Sequence, residues 1–149
     1  MVKKQIAIVI AFVLISISIF GCSKGSQTEI LTELIGASTA SLAKISSFDF
    51  IDNKENEGYF LVSQFTLDKE IMRSWLAEAY KAQDCEVFDL LADKNFIDEE
   101  QSKLSKTARC YRNALIIQSD LAKYNEISLA VKGEQVLLYA AGTAMLTEK

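Results

Sequence analysis

A long apolar stretch dominates the start of the chain. It runs from Ile6 to Phe20, contains only two serines, and follows the charged pair Lys3 and Lys4. A positive start, an apolar run and a small residue after it are typical of a secretory signal peptide. At about 15 residues the run is shorter than the roughly 18 of a membrane-spanning helix. The pattern therefore predicts export, with residues 1–21 removed.

The end of this stretch, Ile19-Phe20-Gly21-Cys22, resembles the lipobox of bacterial lipoproteins. That motif has an aliphatic, a variable and a small residue before the lipidated cysteine. The resemblance implies cleavage between Gly21 and Cys22, a diacylglycerol on the Cys22 thiol, and a further acyl chain such as palmitate on the new amino terminus. Two or more chains anchor a protein stably. The alternative is an uncleaved signal anchor in which Cys22 is an ordinary thiol.

The same resemblance predicts where the protein resides. It places the protein in the bacterial cell envelope, attached to a membrane through its lipid, with no other cofactor. Ser23, where an aspartate would retain such a protein at the inner membrane, resembles lipoproteins sent to the outer membrane. In a Gram-negative source the domain would then face the periplasm.

After a polar tether over residues 22–27, apolar positions recur in steps of three and four, as on one face of a helix. Helices are predicted over 28–46, 69–83, 85–92 and about 98–124. Thr66 or Asp68 is expected to cap the second, and Asp98 begins the fourth. The chain contains no proline, the commonest helix breaker. The predicted fold is therefore mainly α, a single helical domain over 28–149 arranged as a small bundle.

Two stretches are ambiguous between helix and strand. Residues 47–67 alternate polar and apolar positions around a polar run, which fits a short β-hairpin at 48–65 or a loop that leads into a short helix at 59–65. We favour the loop. Residues 127–146 are strongly apolar and fit either a helix or two strands that turn at Lys132-Gly133-Glu134. The alanines after Tyr139 favour the helix.

Charge and cysteine content narrow the class of protein. Without residues 1–21 the chain has 128 residues, with 14 basic and 20 acidic side chains, a net charge of −6. An acidic domain without a basic stripe is a poor candidate for binding nucleic acid.

The remaining cysteines, Cys85 and Cys110, form an even pair in an exported protein, which predicts a disulfide. The alternative is two buried free thiols.

Few motifs for catalysis or metal binding are present. The chain has no histidine, the commonest general base and zinc ligand. Ser41-Leu42-Ala43-Lys44 has the Ser-x-x-Lys spacing of penicillin-binding proteins, but the companion motifs are missing, so we interpret it as the polar face of the first helix. Acids at 49, 52, 55 and 57 could bind a cation but miss the EF-hand pattern. We predict no catalytic and no metal-ligating residue.

These exclusions favour a non-catalytic binding or assembly module that contacts an envelope protein. Two kinds of lipoprotein provide models: the helical pilotins of secretion systems, similar in architecture only, and surface-exclusion lipoproteins. A partner groove is expected between the first helix and the C-terminal stretch, where residues are small (Gly36, Ala37, Ala40, Ala140, Ala141, Gly142). The alternative is a small envelope enzyme or small-ligand carrier that uses the carboxylates of Asp49, Asp52, Glu55 and Glu57.

Overall fold

Residues 24–53, 58–114 and 126–142 are described by the structure, a computed structural model of the chain. The predicted signal peptide and the lipobox-like segment lie outside the described residues. The chain divides between Ser41 and Leu42 into two compact units. The first contains α1 (Lys24–Ile35) and most of α2 (Ala37–Leu42). None of the described helices is long and apolar enough to cross a membrane.

The second unit is built around a β-sheet. Its elements in chain order are β1 (Lys44–Asn53), β2 (Gly58–Thr66), α3 (Lys69–Ala79), β3 (Tyr80–Gln83), α4 (Glu86–Asp93), α5 (Glu99–Thr107), β4 (Arg109–Asn113), β5 (Glu126–Lys132) and β6 (Gln135–Ala141). The six strands form one antiparallel sheet in the order β1-β2-β6-β5-β4-β3. The prediction of a mainly α, small helical bundle is therefore wrong.

The sheet contains two hairpins at the two ambiguous stretches. β1 pairs with β2, with Phe48 opposite Ser63 and an irregularity between Ile45 and Ser47. The favoured loop and short helix at 59–65 are wrong, and the hairpin alternative is confirmed. β5 pairs with β6 across a turn at Gly133, whose φ of 61° is a conformation that glycine adopts without steric cost. The predicted helix over 127–146 is also wrong.

The central position of β6 in the sheet explains why a helix was wrongly predicted over 127–146. It pairs with β2 on one side and β5 on the other, and its residues from Val136 to Ala141 are buried on both faces of the sheet. A strand buried on both faces is apolar throughout and shows no alternation. Local periodicity therefore cannot distinguish such a strand from a buried helix.

Three predicted helices are shorter in the structure. The first breaks at Gly36, which has a φ of 89°, and ends at Leu42. α1 begins at Lys24, within the predicted tether. The second ends at Ala79 and the fourth at Thr107, and strands β3 and β4 follow them. Pairing of β3 with β4, and of β4 with β5, overrides the helical pattern of these segments.

Local signals at the starts of α3, α4 and α5 were predicted correctly. Asp68 caps α3, because its carboxylate accepts from the Glu70 amide at 2.9 Å. Asp98 and Gln101 form a reciprocal capping box at the start of α5. The predicted helix over 85–92 corresponds to α4 at Glu86–Asp93.

The two faces of the sheet are covered differently. We call the first the α4–α5 face, because Phe88 and Leu91 of α4 and Leu104 of α5 pack there against strand residues such as Val62 and Leu137. On the opposite face, the α3 face, Trp75 of α3 contacts Phe65 and Tyr80 at ring-centroid distances of 6.3 and 4.9 Å. Burial of apolar side chains on both faces stabilises the unit.

Candidate functional site

The predicted disulfide is present. Cys85, directly before α4, is bonded to Cys110 of β4, with the Cα atoms 5.4 Å apart. It closes a segment of sequence separation 25 that contains both α4 and α5. The other predicted modification residues, Gly21 and Cys22, lie outside the described residues.

The acids at 49–57 do not form one loop. Asp49 is exposed on β1 opposite Val62, and Asp52 lies on the same strand opposite Tyr59. Glu55 and Glu57 lie outside the described residues. An enzyme or carrier site built from these four carboxylates therefore stays a prediction.

The Ser-x-x-Lys segment is not helical throughout. Ser41 lies in α2, and its hydroxyl donates to the Ser38 carbonyl oxygen at 2.8 Å. Lys44 is the first residue of β1 and is exposed. The interpretation of this segment as one polar helix face is wrong, because the helix ends at Leu42.

The small residues of the C-terminal stretch are not available to a partner. Ala140 and Ala141 are fully buried in β6, and Gly142 is buried after it. A surface must be accessible to admit an incoming helix. The prediction of a groove lined by these residues is therefore wrong for its C-terminal half.

A different concave surface lies beside α4. It is a groove of about 490 Å³, lined by the end of β3, one side of α4 and the start of β5 (Gln83, Asp84, Glu86, Val87, Asp89, Leu90, Asp93, Glu126). Leu90 is 45% exposed there, whereas most large apolar side chains of this unit are buried. Concave surfaces with an apolar base and a few polar groups are the usual location of binding sites.

Helical spacing brings three acids to this groove. Glu86, Asp89 and Asp93 are separated by three and four residues, so they share one side of α4 with Leu90. Phe88 and Leu91 point from the other side into the core. The first two acids lie in the first turn, where the helix dipole favours negative charge, but Asp93 lies in the last turn, where it does not.

A buried polar chain positions the acid on the sheet side. The Gln83 amide donates to the Ser128 hydroxyl at 3.2 Å and, more weakly, to the Tyr111 carbonyl at 3.4 Å. The Ser128 hydroxyl in turn donates to the Glu126 carboxylate at 3.4 Å. Ser128 is fully buried, so these bonds also satisfy a polar group that would be costly to bury alone. Glu126 is thus held at the edge of the groove.

Tyr139 of β6 pairs with Ser128 of β5, so it lies next to these hydrogen-bonded side chains. Burial, together with the smaller effect of the nearby Glu126 charge, raises the pKa of the Tyr139 phenol to about 12. Tyr80, on the α3 face, has a pKa raised to about 12 by burial, which the Asn113 side chain partly offsets. The Tyr80 oxygen has no partner at hydrogen-bond geometry among the described residues. Both phenols are therefore neutral at physiological pH.

The charges around the groove set its chemistry. Its lining includes five carboxylates and no Lys or Arg, although Lys81 and Arg112 lie on the same row of the sheet as Ser128. Within the described part of the chain, no group of three His, Cys, Asp or Glu side chains is placed to hold a metal ion. The arrangement offers noncovalent contacts to a partner that carries both positive and apolar groups.

The sequence contained only part of the signal for this groove. The spacing of Glu86, Asp89 and Asp93 places them on one side of a helix that the sequence predicts. The contribution of Gln83, Ser128 and Glu126 depends on the pairing of β3, β4 and β5, which follows only from the fold.

Comparison of the chain with protein-family models, with curated proteins and with solved structures finds no match in any of the three.

Proposed function

We propose that the protein is a lipid-anchored lipoprotein of the bacterial cell envelope and that its folded domain is a non-catalytic binding or assembly module. The observation that carries the proposal is the lipobox-like Ile19-Phe20-Gly21-Cys22 at the end of an apolar run. The Cys85–Cys110 disulfide supports it, because such bonds persist in exported proteins and are rare in the cytosol.

The groove beside α4 supports binding rather than a purely structural role. It is built on a helix and two strands, and it exposes Leu90 between carboxylates. An exposed apolar side chain in a concave surface loses contact with water when a partner covers it. An envelope protein is the partner that the predicted location favours.

The structure changes the choice of model for this function. The analogy with helical pilotins depended only on a helical bundle, and the six-stranded sheet removes that basis. No described feature favours a surface-exclusion lipoprotein. We therefore propose the binding role without either family.

Metabolic labelling with an alkyne fatty acid tests the lipid anchor. The wild-type protein should be labelled and should fractionate with membranes, and Cys22→Ala should lose both properties, because it removes the acceptor thiol. The mature amino-terminal peptide should begin at modified Cys22. An intact mass that retains Met1 in membrane-extracted protein would refute the anchor.

Site-specific photo-crosslinking in cells tests the binding role. A photoreactive residue at Leu90 should capture one reproducible envelope protein, because Leu90 is exposed in the groove. The matched control is Lys103 of α5, whose side chain is 70% exposed outside the groove lining. Identical products from both positions, or none from Leu90, would argue against the groove as the contact surface.

A further inference from the structure

The disulfide joins the two ends of the segment that contains α4 and α5, since Cys85 follows β3 and Cys110 lies in β4. Gln83, the last residue of β3, is opposite Cys110 of β4, and Cys85 follows two residues later. β3 is at one edge of the described sheet and pairs with β4 over only four residues. Short edge pairings open more readily than central ones.

Noncovalent contacts hold this edge unevenly. Lys81 and Ala82 of β3 are exposed, as are Asp84 and Glu86 around the disulfide. Cys85 and Val87 are partly buried and pack against the core cluster, and the first fully buried residue of α4 is Phe88. The stretch from Lys81 to Glu86 is therefore held mainly by three strand pairs, by the Gln83 side chain, and by Cys85 through its packing and its disulfide.

The two sulfurs differ in accessibility. Cys110 is 3% exposed and packs in the core cluster, whereas Cys85 is only partly buried and is flanked by exposed residues. A thiolate from solvent can therefore approach Cys85 more readily than Cys110. Access of this kind is one of the factors that set rates of thiol–disulfide exchange.

We propose that Cys85–Cys110 is a redox-sensitive latch on the groove. Its reduction frees the end of β3 and the first turn of α4, which form one wall of the groove, while the central strands remain folded. The reductant is a dithiol, such as a thioredoxin-like protein. This proposal does not depend on lipidation at Cys22, so the experiments that test the lipid anchor and those that test the latch give independent results.

The exchange proceeds in two steps. One thiolate of the dithiol attacks the Cys85 sulfur, the Cys85–Cys110 bond breaks, and the Cys110 thiolate leaves and takes up a proton. The second thiol of the reductant, as its thiolate, then attacks the reductant's first sulfur in the mixed disulfide. The bond to Cys85 breaks, and Cys85 takes up a proton and is released as a thiol. The protein gains two electrons and two protons, and the dithiol becomes a disulfide.

Hydrogen exchange with mass spectrometry on the full chain in detergent tests the latch. With dithiothreitol, amides within residues 80–87 should exchange about tenfold faster or more, because loop closure no longer restrains them. Amides of β5 and β6 should be unchanged. The double variant Cys85→Ser with Cys110→Ser should reproduce this pattern without reductant.

Two results would overturn the proposal. Unchanged exchange at 80–87 would show that the disulfide does not restrain this edge, and equal acceleration in β5 and β6 would show that it holds the whole domain. A second measurement uses glutathione on the native protein, followed by peptide mapping. A mixed disulfide on Cys85 is expected, and one on Cys110, or none without denaturant, would contradict the latch.

Discussion

Two neighbouring leucines of α4 provide a sharp test of the fold. Leu91 is 4% exposed and packs in the core cluster on the α4–α5 face, whereas Leu90 is 45% exposed in the groove. The two share residue type, helix and nearly the same helical position. Replacing each by alanine therefore isolates the effect of burial against the sheet.

The expected losses follow from this difference. Replacing leucine by alanine removes three carbon atoms from the side chain. If all three are buried, the free energy of unfolding falls by about 2.4 kcal/mol, at about 0.8 kcal/mol per buried methylene. For Leu91, the cavity left behind raises the cost to about 2–5 kcal/mol. For Leu90, about half of the surface is already exposed, and alanine has a slightly better helix propensity, so the loss should be about 1 kcal/mol or less.

Urea unfolding followed by circular dichroism measures both values. Leu91→Ala should strongly lower the urea midpoint. Its melting temperature should fall by roughly 3–6 °C for each kcal/mol lost, between the values typical of smaller and larger domains. Leu90→Ala should change either measurement only slightly. Equal losses for the two variants, or a larger loss for Leu90→Ala, would show that α4 does not pack on the sheet through Leu91.

The remaining predictions concern a helix cap and a buried phenol. Asp98→Ala should destabilise the domain by about 0.5–2 kcal/mol, because it removes the capping box of α5. The control Asp93→Ala, in the last turn of α4, should be neutral or slightly stabilising, because the helix dipole disfavours negative charge there. Urea unfolding compares the two variants, and equal losses of stability would contradict the cap. The folded-state pKa of Tyr139, raised to about 12 from 10.0, means that its neutral form contributes stability fully below pH 10 and loses it as pH rises toward 12. Wild-type stability should fall on the order of 1–3 kcal/mol more than that of Tyr139→Phe across this window, and parallel pH profiles would exclude such a contribution.

Several local features could be predicted from the sequence because their physics is local. Asp68 and Asp98 cap helices through amides two or three residues away. α4 has an apolar side and a polar side within eight residues. The Cys85–Cys110 pair was predicted because only two cysteines follow Cys22 in a chain whose start predicts export.

The strands could not be assigned in the same way. Tyr80–Gln83 and Arg109–Asn113 continue helical patterns in sequence, and they become strands because each finds a partner far along the chain. β5 and β6 contain apolar runs buried on both faces, which read equally well as a buried helix. The choice depended on hydrogen bonds to other strands.

The sequence by itself determined the starts of α3 and α5, the two sides of α4 and the partners of the disulfide, while the lipid anchor at Cys22 stays a prediction. Each of these depends on residues close together or on residue type and count. Only the tertiary structure decided that the chain forms a six-stranded sheet and that Gln83, Ser128 and Glu126 meet beside α4. The physical reason is that strand backbones are satisfied by partners distant in sequence, so their state is set by the whole fold rather than by local propensity.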